Sequence, residues 1–351
     1  MNSLLIAGKY LDQPRLVGKF SKAVPALLVA GGAAFTYNHI KNTPEKQKRK
    51  EFIKSVSVLT VTIGSALIAT RGIGKFKGLS EKIDLKELTR KNTELVNGFV
   101  KNNKVSKKTT AILEKAKEKI LNYKDVKTLF EELHEQKQGK VFLKELIPNP
   151  ENVDSKHIFG EIKRLSLIGL VPVLGGIAGG IIGDRLTEKD WKDRIPNKIK
   201  EGSYQYLANI FLCNIGAGGA LAILEKLNIQ TKTARAVGMV TGILAVGVIG
   251  GSAIANLIGK NFIDPILERK HRHHRGKGNM HNNCPNNENC PRMKGLYSER
   301  KPEALDIGLH ADDIATVAVL SGLKWIEPAL PVLYSISGYR AGIGYRNGDK
   351  Y

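Results

Sequence analysis

The chain has 351 residues and carries 55 Lys and Arg against 33 Asp and Glu, a formal charge of +22 at pH 7. That length excludes a small scaffold stapled by metal or disulfides, and a hydrophobic share of 42% excludes disorder throughout. Three cysteines make no disulfide framework, so a reducing compartment is expected. Mean hydropathy is only −0.19, yet that average conceals long apolar, glycine-rich stretches alternating with long Lys-rich ones.

Residues 1–74 read as an N-terminal apolar helical hairpin. Met1 to Lys9 has a short apolar stretch with no basic residue before it, unlike a secretory signal. Ala23 to Ile40 and Ser55 to Thr70 are near the lower length limit for crossing a bilayer core, which takes roughly 20 apolar residues. Lys19, Lys22, Lys54 and Arg71 lie at their ends, where long side chains snorkel to the interface. The pair therefore either spans or lies shallowly in the membrane.

Residues 75–164 read as a basic amphipathic helical region. Leu85, Leu88, Leu95, Val96 and Phe99, then Ile112, Leu113, Ala116, Ile120 and Leu121, then Val126, Leu129, Phe130 and Leu133 recur at helical spacing between charges. Glu114 and Lys117 form a favourable i,i+3 pair. A solvated helical bundle is the simplest reading, and Pro148-Asn149-Pro150 closes it.

Residues 165–258 read as three glycine-rich transmembrane helices. Leu165 to Ile182, Tyr204 to Leu224 and Ala236 to Ile258 hold no charged residue in 18, 21 and 23 positions. At 1.5 Å per residue, each run is about as long as a hydrocarbon core is thick. Gly175, Gly179 and Gly183 recur every four residues and strip one helix face of side chains. Gly216 with Ala220, Gly238 with Gly242, and Gly247 with Gly251 repeat the spacing. Such faces let helices approach closely, either within the chain or between copies of it.

Residues 259–311 read as a basic loop. His273, His281, Cys284 and Cys290 are the types of ligand zinc prefers, although five residues separate the two cysteines where zinc knuckles have two to four. No aromatic residue interleaves with the charges, so no specific nucleic acid is expected as a partner. Residues 312–351 read as a broken C-terminal apolar segment. Lys324 and Glu327 lie three apart beside Pro328 and Pro331, and Asp312 and Asp313 precede them where carboxylates cap a helix.

No Gly-x-Ser-x-Gly, His-Glu-x-x-His or phosphate-loop motif is present. The expectation is an all-α multi-pass membrane protein with about six hydrophobic helices in the cytoplasmic membrane of a prokaryote. As a function we expect a non-enzymatic scaffold or assembly factor without a cofactor, whose Lys-rich parts meet anionic membrane lipids. The alternative is a small transporter or channel with Lys324 and Glu327 lining a polar path. A zinc-dependent membrane enzyme using the His/Cys loop is a third reading. Lys and Arg are retained on the cytoplasmic side; loops 41–54 and 184–203 hold six each and loop 259–311 holds ten.

Overall fold

The computed structural model describes residues 3–73, 84–147, 155–229, 232–263, 265 and 329–344. Among the described residues the secondary structure is helical and no strand occurs. They form two compact units. One takes in residues 3–25 and 84–147, the other residues 26–73, 155–263 and 330–344, the unit boundary falling at Pro25 inside a helix.

The first unit is built from α1 (Ser3–Leu11), the start of α2 (Pro14–Lys41), α4 (Leu85–Asn102), α5 (Lys107–Glu118), α6 (Tyr123–Leu133) and α7 (Lys137–Leu146). Three of its helices begin at side-chain caps. Asp84 accepts from Lys86 N at 2.9 Å, Ser106 from Thr109 N at 3.2 Å and Asn122 from Asp125 N at 2.8 Å, each satisfying an amide that the helix itself leaves orphaned. The apolar faces of α4 to α7 close on a core that includes Val96, Leu113, Val126, Leu129, Leu133 and Leu143. Phe99 and Phe142 stack within it at 4.1 Å. Two parts of this core have no counterpart in the sequence reading: α7 with Phe142, Leu143 and Leu146, and Ile6 of α1, which is 1% exposed. Gln13 fastens the N-terminal segment by donating to Leu121 O and accepting from Leu121 N, both at 2.8 Å. The Glu114–Lys117 pair forms at 2.6 Å.

The second unit contains the rest of α2, α3 (Glu45–Ile73), α8 (Ser155–Thr187), a 3-10 turn (Trp191–Arg194), α9 (Ile195–Tyr206), α10 (Leu212–Lys226), α11 (Lys232–Gly242), α12 (Gly250–Ile258) and α13 (Leu330–Ile343). A π-helical segment at Leu207–Phe211 joins α9 to α10, another at Ile243–Ile249 joins α11 to α12, and a third at Gly259–Ile263 follows α12.

Four helical stretches are long and apolar enough to cross a membrane: Pro14–Lys41, Glu45–Ala69, Ile162–Thr187 and Trp191–Lys226. The chain therefore has an all-α multi-pass membrane fold. Both segments of the N-terminal hairpin belong to these four, because the helices run on through the charged residues that flank each apolar run. The run Ala236–Ile258 is not one of them. Within it Val237–Gly247 stands out as a shorter apolar helix, and the backbone stays helical, α and π by turns, over residues 232–263. Of the C-terminal segment, α13 is described, a helix of 14 residues.

Packing in this unit runs through small residues. A Cβ on Gly176 or Gly180 of α8 would overlap the carbonyls of Gly338 and Gly342 of α13, so these two helices run parallel with their backbones in contact. On the neighbouring face of α8, Gly175 abuts Ser65 of α3. A Cβ on Gly179 would lie 2.7 Å from Ser57 O, and one on Gly183 would lie 2.9 Å from Lys54 Cα. The descending partner numbers make α3 and α8 antiparallel. Gly242 of α11 lies against Gly216 and Ala220 of α10, Gly247 against Cys213 and Gly251 against Ala208, another antiparallel pair; Gly238 meets the side chain of Leu224. Between α10 and α11, Asn228 takes a left-handed φ of 57° and Ile229 N donates to Leu224 O at 2.9 Å, a left-handed helix ending that usually employs glycine. All eight glycines picked out by their spacing thus meet another helix of the same chain.

Candidate functional site

The ends of five helices converge at one end of the second unit. The C-termini of α2, α8 and α13 meet the N-termini of α3 and α9 around a cleft of about 180 Å³, whose lining includes His39, Glu51, Lys54, Asp184, Arg194 and Lys198. The antiparallel and parallel registers above bring them together, since residues near 51, 184, 198 and 342 are level with one another.

At the mouth of the cleft, Glu188 collects three cations. Lys54 Nζ lies 2.7 Å from its Oε1, and Lys50 Nζ and Arg194 Nη2 each lie 3.6 Å from its Oε2. Burial raises the pKa of Glu188, but the hydrogen bond from Lys54 and the charges of Lys54, Arg194 and Lys50 outweigh it, and the carboxyl is held below the ordinary glutamate value. Glu51 is shared between Lys54 and His39, at 3.4 Å each.

Deeper in, Lys198 and Asp184 form an ion pair at 3.0 Å, with side chains only 7% and 4% exposed. Lys198 Nζ also donates to Gly342 O at 2.6 Å, so it satisfies a carbonyl that the end of α13 leaves without an intrahelical partner. A cation there also complements the negative end of the helix dipole.

From this pair a polar ladder continues along α9 towards α10. Glu201, Gln205 and Asn209 follow at intervals of four and occupy one helix face, and none is more than 3% exposed. Gln205 donates to Glu201 Oε1 and Asn209 donates to Gln205 Oε1, both at 2.8 Å. Arg340 of α13 stands 3.9 Å from Glu201. Asn209 lies within the π-helical segment Leu207–Phe211, the kind of interruption often associated with functional sites. One turn further, Asn214 donates to Ser166 of α8 at 3.3 Å. Unpaired, such groups would be costly in an apolar bundle, and side-chain partners within hydrogen-bond or ion-pair distance compensate them.

Asp312, Asp313, Lys324 and Glu327, like His273, His281, Cys284 and Cys290, lie outside the described residues. The ladder escaped the sequence reading for two reasons. Asp184 and Lys198 look like loop charges when counted by position, and Gln205, Asn209 and Asn214 are uncharged members of a run judged by its lack of charge. The i,i+4 recurrence of Glu201, Gln205 and Asn209 is the signal that finds it.

Compared with protein-family models, curated proteins and solved structures, the chain matches none.

Proposed function

We propose that this integral membrane protein is a non-enzymatic membrane scaffold, held in one arrangement by close helix packing, with a basic end that engages anionic lipid. The observation that supports this reading best is the backbone contact of α8 with α13 at Gly176/Gly338 and Gly180/Gly342. Helices that touch through their backbones have little room to slide without losing the dispersion contacts that associate them in lipid. The basic runs at 41–54 and 184–203 converge on the same end of the bundle, which supports reading that end as the cytoplasmic one.

The test is alkaline carbonate extraction of membranes bearing the full chain, followed by solute and ion flux in proteoliposomes. Retention in the membrane pellet together with flux no greater than in protein-free vesicles is the expected result. Release into the supernatant overturns the reading.

A second reading, a small transporter or channel, is favoured by the buried ladder Glu201–Gln205–Asn209, because polar side chains inside a membrane bundle mark paths for polar solutes. Flux that is abolished by Gln205→Leu, with insertion intact, would establish it in place of the scaffold.

A further inference from the structure

We infer that the C-terminal half of α8 and the turn after it form a binding track for one anionic phospholipid. The inference rests on the membrane reading above and specifies a site for the lipid partner it invokes. Leu174, Ala178, Ile182 and Leu186 recur every four residues and all are exposed, Leu174 by 55% and Leu186 by 64%. They form a single apolar stripe on the side of α8 away from its glycine contacts with α3 and α13. Twelve steps of 1.5 Å from Leu174 to Leu186 give the stripe a length of about 18 Å, close to the depth of one leaflet of a hydrocarbon core about 30 Å thick.

The stripe ends at a cluster suited to a headgroup. Trp191 is half-buried in the 3-10 turn, with the Arg185 guanidinium 5.9 Å and the Lys192 ammonium 5.7 Å from its ring centroid. Amphipathic tryptophan rings favour this depth, where one side meets acyl chain and the other meets water. Among the described residues no carboxylate lies within ion-pair distance of Arg185, Lys189 or Lys192, all of them exposed. Nearby Asp190 is engaged by Arg194 at 3.9 Å and Glu188 by the cations of the cleft, which leaves Asp193 as the carboxylate opposing three cations. A phosphodiester is the anion that matches. The guanidinium offers it a planar donor fork and the lysines offer point charges. A free phosphate would share the cations but has no use for an 18 Å apolar stripe, so the occupant is a lipid.

The test uses the only two tryptophans of the chain, Trp191 and Trp325. In full-length protein carrying Trp325→Phe, Trp191 fluorescence is followed in vesicles containing either brominated phosphatidylglycerol or brominated phosphatidylcholine. We expect the anionic lipid to quench at a much lower mole fraction. Arg185→Gln with Lys192→Gln removes roughly twenty-five-fold of that preference, about fivefold per cation, and Arg185→Lys retains most of it. Equal quenching by the two lipids overturns the inference, as does loss of the preference on adding millimolar inorganic phosphate, which would assign the cations to a soluble anion. Carbonate extraction of the same samples separates the two levels. Protein that stays in the vesicles without preferring the anionic lipid refutes the site alone, whereas protein released from them refutes the membrane reading.

Discussion

The two units are both helical, yet they pack in opposite ways. Residues 84–147 bring together Leu, Phe and Val from α4 to α7 around an apolar centre and turn Lys and Glu outward. Residues 26–73, 155–263 and 330–344 bring together Gly, Ala and Ser, and leave Leu174, Ile182, Ile223, Leu244 and Ile249 exposed. The contrast follows from the solvent each surface is suited to. In water, large apolar side chains gain about 25 cal/mol per Å² by leaving it, so they go inside. In lipid that gain vanishes, and helices associate through the close fit that small residues allow. Polar groups follow the same logic. The first unit places its ion pairs outside, as with Arg90 between Glu87 and Glu94, and the second buries Asp184 with Lys198.

The largest effect should come from breaking that buried pair. Asp184→Ala leaves the Lys198 ammonium beside the end of α13 without its counter-charge, and should cost about 3–5 kcal/mol. Adding Lys198→Met should restore most of the loss, because the lone charge rather than the missing bridge is what destabilises. Thermal unfolding in detergent would show it. A double variant no more stable than the single one would refute the account.

Next in size is the aliphatic core. Leu129 is fully buried, and Leu129→Ala should cost about 2–5 kcal/mol through lost transfer energy and the cavity left behind. Hydrogen exchange should quicken in peptides from 84–147 and remain unchanged in those from α8 and α10. Spread of the effect to both sets would mean that the units do not unfold independently.

Glycine gives the sharpest contrast, since the same substitution should change sign between the units. A Cβ on Gly176 meets the backbone of α13, so Gly176→Ala should destabilise by about 1–3 kcal/mol. At Gly98, in the C-terminal part of α4, a Cβ meets nothing within 4 Å, and Gly98→Ala should stabilise by about 0.4–1 kcal/mol by restricting the unfolded chain. Two values of the same sign would undo the distinction.

Much of this architecture is legible in the residues, for reasons that also set its limits. Helical spacing at Val96, Leu113 and Leu129 marks a core because burial in water acts on large side chains. Glycine at every fourth position marks a close approach, but it is silent on the partner, since Gly176 and Gly180 face α13 while Gly175 and Gly179 face α3. The polar ladder is harder to read, because Gln and Asn leave a run free of charge and hydropathy averages them away. Lys198 is invisible for a different reason. Its partners, Asp184 and the carbonyl of Gly342, are 14 and 144 positions distant and meet it only through the tertiary register.

A further small effect, dependent on pH, concerns the polar fastening inside the first unit. Glu132 of α6 accepts from Ser106 N at 3.1 Å, from Ser106 Oγ at 2.9 Å and from Thr109 Oγ1, and so ties α6 to the start of α5. The Thr109 hydrogen bond lowers its pKa most. Burial opposes that effect, and the contacts from Ser106 with the charge of Lys108 reinforce it, leaving the carboxyl below its ordinary value. A carboxyl depressed in the folded state contributes stability above its unfolded pKa of about 4.3, and that contribution is lost as pH falls through the lower, folded value. Glu132→Gln should therefore cost about 1 kcal/mol at neutral pH, a modest sum because the site is partly exposed. It should cost nothing at the acid end, where the native carboxyl is itself neutral. Amide exchange across 107–133, followed from pH 7 downward in both proteins, would show the two profiles converge. Profiles that stayed parallel would mean that the carboxylate charge is not what joins α5 to α6.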